Sequence, residues 1–129
     1  MKNEFIIETL GLFEGYKTRL KELHWSASNM EIHRLIDEYS DTVSKFEDAL
    51  AEISSSIWGA PEVCSIQPEL PEDVEFPDLL QTILGKSIEI KRKCVDEGLI
   101  WTGIESTVDS FIADSQIMIY KTKLELGLL

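Results

Sequence analysis

Within the stretch EIHRLIDEYSDTVSKFEDALAE, His33 and Asp37 stand four residues apart, and eleven residues on, Asp48 and Glu52 repeat that spacing. On an α-helix a four-residue step leaves two side chains about 6 Å apart on one face, close enough to share one metal ion. Mixed imidazole and carboxylate ligation suits Fe(II), Mn(II) and Zn(II), and spacing alone does not order them. From Asp37 to Asp48 is about 16 Å along a helix axis, so the two pairs cannot hold the same ion. His24 comes only nine residues before His33, which brings both histidines of the chain toward one end of the stripe.

Four helical stretches carry these residues. The first runs from about Asn3 to Trp25, with Ile6, Leu10, Phe13, Tyr16, Leu20 and Leu23 in steps of three and four. Ser28 and Glu31 form a capping box for the second, which runs to about Trp58 and stops at Gly59-Ala60-Pro61. Its seam is Ile32, Ile36, Tyr39, Val43, Phe46, Leu50, Ile53 and Ile57, alternating fours and threes without a miss. Residues 60–77 hold all four prolines and join the halves. A connection that long suits a crossover between parallel helices. The third helix spans roughly Asp78 to Glu97, with Leu80, Ile83, Leu84, Ile88, Cys94 and Val95 inward and Gly98 as its stop. Thr102 and Glu105 make a second capping box, and the last helix runs to about Leu126 through Ile104, Val108, Phe111, Ile112, Met118 and Ile119. With no strand alternation, the 129 residues read as one all-α domain, a ferritin-like four-helix bundle with one long crossover.

The direction of the ligand stripe decides what kind of site it can be. On a helical wheel Asp37 falls about 40° round from His33, Asp48 about 60° and Glu52 about 100°, while the apolar seam centres about 250° round. The stripe thus lies roughly 160° from the core face, which excludes the di-iron design whose ligands project into the bundle interior. Such a stripe faces either water or another chain. If a second copy of the helix crosses it antiparallel near residues 42–43, the His33/Asp37 end of one meets the Asp48/Glu52 end of the other, twice, as two-fold symmetry requires. Ser40 and Ser44 lie within about 20° of His33 and are small enough to permit that crossing.

His24-Trp25, then His33, Asp37, Asp48 and Glu52 at these spacings, resemble the Dps family of mini-ferritins, most specifically over residues 10–58. The resemblance implies a ferroxidase that binds and oxidises Fe(II), preferably with hydrogen peroxide, and stores the ferric mineral in a hollow dodecamer. It implies that Asp48 and Glu52 of one chain bind iron alongside His24 of its partner. His33 and Asp37 would serve a second, weaker position, with Trp25 at the interface beside the site. Two readings of other classes stand beside this one. The bundle is a non-catalytic structural or interaction module, or it is a redox-inactive dimer holding Zn2+ or Mn2+ in place of iron.

Composition bounds the partners. The net charge is −12, and residues 46–85 contain nine Asp or Glu without a Lys or Arg. Long-range electrostatics then favour cations and oppose nucleic-acid backbones. Many Dps relatives bind DNA through a lysine-rich tail; this sequence carries none, so no nucleic-acid partner is expected. No run approaches the roughly 20 apolar residues of a membrane span. MKNEFIIETL does not read as a signal peptide, so Cys64 and Cys94 are expected as reduced thiols in a cytoplasmic protein.

Overall fold

The computed structural model describes residues 3–62 and 65–129, so Cys64 lies outside the described residues. It is all-helical, a bundle of α1 (Glu4–Ser26), α2 (Met30–Trp58), α3 (Phe76–Glu97) and α4 (Thr102–Glu125), with a short 3-10 turn, Leu99–Trp101, before α4. Among the described residues there is no strand, and no helix is long and apolar enough to cross a membrane. α1 packs on α2, α3 on α4, α2 on α4 and α1 on α3.

The period of three and four predicts most of the core. Ile6, Leu10, Phe13, Tyr16 and Leu20 of α1 are buried, as are Ile36, Tyr39, Val43, Phe46 and Leu50 of α2. Phe46 and Phe111 stack with centroids 4.3 Å apart, and Phe13 meets Phe46 at 5.2 Å. The Tyr39 hydroxyl keeps its polar end satisfied against Ser115 Oγ at 2.8 Å.

The helix ends differ from the sequence reading in three places. Asn29, not Ser28, caps α2: its Oδ1 accepts from the Glu31 and Ile32 amides at 2.8 and 3.1 Å. Asparagine is as strong a cap as serine and sits one residue nearer the first turn, so it takes the donors. α3 starts earlier than Asp78, at Phe76, because Pro77 fits the first turn, where its missing amide costs nothing. Thr102 does not cap α4. The 3-10 turn runs directly into the helix, and the Thr102 hydroxyl donates back to the Leu99 carbonyl at 2.6 Å. Val95 also departs from expectation at 62 % exposed, because Ile90 and Cys94 hold the inward face and Val95 falls about 100° past Cys94. Cys94 is a buried free thiol, pushed up to about 11 chiefly by burial, and therefore a poor nucleophile.

The connection between Trp58 and Phe76 lies against α1, and two glycines make room for it. The Glu69 amide donates to the Gly11 carbonyl at 3.0 Å. A Cβ on Gly11 would overlap the Gln67 carbonyl, and one on Gly15 the Glu69 carbonyl. Arg19 then holds the chain through the Pro71 carbonyl at 3.2 Å. Backbone cannot swing aside as a side-chain tip can. Gly15→Ala is therefore expected to cost about 2–4 kcal/mol in a urea melt, despite a helix-propensity gain of about 1 kcal/mol. Gly85→Ala, where a Cβ meets nothing, should show that gain alone.

Candidate metal centre

The turn at residues 27–29 folds the last turn of α1 onto the first turns of α2. There the His24 and His33 rings stack, with centroids 3.8 Å apart and planes at 30°. His33 Nδ1 lies 2.9 Å from the His24 carbonyl oxygen, which is one of the unpaired carbonyls at the end of α1. A carbonyl only accepts, so Nδ1 carries the proton. In the neutral ring the lone pair then sits on Nε2, the state a metal ligand requires. His24 Nδ1 is buried without a hydrogen-bond partner. A buried polar atom left so costs about 1–3 kcal/mol, which a cation bound at Nδ1 would recover.

His24, Asp37, Ser40 and Ser44 line one open groove of about 330 Å³, with Lys17 and Lys21 along its α1 side. Asp37, Ser44, Asp48 and Glu52 are exposed and Ser40 is half-buried, so the stripe points away from the core. Trp25, next in the chain to His24, is 72 % exposed. One chain thus brings His24 onto His33 and sets His24 and Asp37 along one groove. It does not bring Asp48 and Glu52 to them. Asp48 lines a separate groove with Glu14, Lys17 and Glu47. Among the described residues of the single chain, no three His, Cys, Asp or Glu gather as a ligand set.

That second groove holds a charged cluster absent from the sequence reading. Lys17 Nζ bridges Glu14 at 2.6 Å and Glu47 at 2.7 Å, tying α1 to α2. Glu47 is 8 % exposed. Burial first, then the neighbouring Glu14, pushes its carboxyl up to about 7, with Lys17 opposing. Glu14 is lowered in turn, first by its hydrogen bond with Glu47 and then by Lys17. The helical wheel held a signal for Glu47, which falls about 70° from the apolar seam where Asp48 falls about 170° away. Its lysine partner comes from another helix and had no signal.

A pH dependence follows from Glu47. Its folded value is raised, so the folded chain holds a proton that the unfolded chain has released between 4.5 and about 7. This contribution to stability is fully present below the unfolded value and is lost as pH rises toward 7. The Tm of the wild type should fall by roughly 5–10 °C from pH 5 to pH 8 on this account. Glu47→Gln keeps a donor for Glu14 and cannot ionise, so its Tm should hold nearly level. A variant as pH-sensitive as the wild type would remove Glu47 from the explanation.

No family model, no curated protein and no solved structure matches the chain.

Proposed function

We propose that the protein is a Dps-like ferroxidase of ferritin-like fold, with Fe(II) as its substrate and its site shared between two copies. One observation carries the reading: His24, stacked on a His33 held in the tautomer that leaves Nε2 free, lines the outward groove together with Asp37. The remaining acids of the stripe, Asp48 and Glu52, are exposed further along the same helix. Antiparallel crossing of two α2 helices near residues 42–43 completes both half-sites at once.

The bundle's connectivity supports the same reading. The chain after α2 passes Gly11, then Gly15, then Arg19 of α1. It reaches Phe76 beside Leu23 and Ala27. That path runs the length of α1, as a long crossover between parallel helices does in the ferritin-like topology.

In the assembled site, Asp48 and Glu52 of one chain hold Fe(II) with His24 of the other. His33 and Asp37 offer a second, weaker position. The protein's contribution is to bring carboxylates together in a partly closed interface, where without a cation they repel one another and lose hydration. A divalent ion offsets that cost, so metal and dimer stabilise each other. Iron held by three or four protein groups would leave room for peroxide to bind, and each peroxide, taking two electrons and two protons, would oxidise two Fe(II) to Fe(III) and leave as water. Zn2+ or Mn2+ fits the same donors without that turnover.

A second reading, a bundle that pairs without redox chemistry, draws on Lys17 and Lys21, two basic residues that line the groove where a metal would supply charge. Anaerobic Fe(II) titration followed by peroxide separates the two, with ferric absorbance and light scattering read together. Ferric absorbance saturating with bound iron in an assembled protein is the expected result. An assembled protein that oxidises no faster than buffer leaves only the second reading.

A further inference from the structure

α4 carries apolar residues on two opposite sides. Inward it presents Ile104, Val108, Phe111 and Met118. Outward, Ile117, Tyr120 and Leu124 are 54 %, 56 % and 58 % exposed. Continued upstream in steps of three and four, the outward line runs through Ala113, Ser110 and Ser106, all exposed. The whole line is a heptad seam without a charge, in a chain whose residues are 28 % charged. Helices that are apolar on both sides bury both, and an exposed contiguous apolar strip marks a contact surface.

We propose that this face pairs with the same face of a second copy, antiparallel, about a two-fold axis near residue 115. The register favours this arrangement. In an antiparallel coiled coil each layer joins an a position of one helix to a d position of the other. With the axis at residue 115, Ser106 meets Leu124, Ser110 meets Tyr120, and Ala113 meets Ile117, being nine, five and two positions to either side. Every layer sets a small residue against a bulky one, and symmetry repeats each layer once. Parallel pairing would put Tyr120 on Tyr120 and Ser110 on Ser110, crowding one layer and emptying another. A charge-free contact also spares two chains of net charge −12 from burying like charges. This surface is on a different helix from the α2 stripe and stands without it.

The test uses the full chain in a Cys64→Ser background. Light scattering on Leu124→Glu should give half the wild-type mass or less, with unchanged helical signal because Leu124 is exposed. Air oxidation of an equimolar mixture of Ala113→Cys and Ile117→Cys should give a disulfide-linked pair that neither variant forms alone. Leu124→Glu at the wild-type mass overturns the proposal, as does a mixture that fails to cross-link. Ala113→Cys that cross-links by itself means parallel pairing and also overturns it. Because Ser44→Arg probes only the α2 face, the two surfaces can fail separately.

Discussion

Replacing Asp48 and Glu52 together with alanine is expected to abolish the proposed peroxide-driven Fe(II) oxidation and to leave the helical signal unchanged. Both side chains are exposed on α2 and neither belongs to the core, so their loss creates no cavity and breaks no packing. The proposed site, by contrast, loses both carboxylates of its tighter position, and a single histidine from the other chain cannot hold Fe(II) alone. The initial rate should fall at least about a hundredfold, an effect of the size that loss of metal-holding groups produces. Stopped-flow ferric absorbance, with circular dichroism on the same preparation, checks both halves. A double variant that oxidises iron at the wild-type rate would show that the stripe is only a solvated acidic face.

Ser44→Arg is expected to dissociate the α2 pair and stop iron oxidation together, although no ligand is touched. Ser44 is exposed and lines the groove with His24 and Asp37, and the apolar seam of α2 lies well over 90° away. The monomer therefore loses nothing. At a two-fold crossing near residues 42–43, however, each new guanidinium meets its own symmetry mate, and the bulk lands where the helices approach most closely. Like charges placed against each other at a buried contact cost several kcal/mol, enough to weaken pairing about a thousandfold. Sedimentation velocity and the oxidation assay, run side by side, decide the matter. A Ser44→Arg protein that stays assembled and active means that α2 pairs nowhere near Ser44.

How far the sequence reaches is clearest on α2. Ile36, Tyr39, Val43, Phe46 and Leu50 are buried, and Asp37, Asp48 and Glu52 are exposed, as a turn of 3.6 residues requires. Period and sidedness are properties of one helix's backbone, so a single chain of letters contains them. The end of α2 at Trp58 and the end of α3 at Glu97 were legible for a similar reason. A glycine with positive φ follows each, Gly59 at 88° and Gly98 at 90°, and a helix has no use for that conformation.

Relations between helices were not legible, because they depend on how each helix is rotated and slid against its neighbour. The 3.8 Å stacking of His24 on His33 needs the turn at 27–29 to close at one particular angle, and no periodicity encodes that angle. Nothing in the letters around Gly11 and Gly15 says that the backbone of residues 67–69 lies across them. Glu47 read as one more acid in an acidic segment, yet Lys17 of α1 reaches it at 2.7 Å. Val95 was placed inward by hydrophobicity and is turned out, because the rotation of α3 against α4 gives the inner face to Ile90 and Cys94. Sequence by itself determined which side of each helix is apolar. Tertiary structure decided which residues of different helices meet, since contact across a gap of a few ångströms is set by packing of whole faces and not by any local rule.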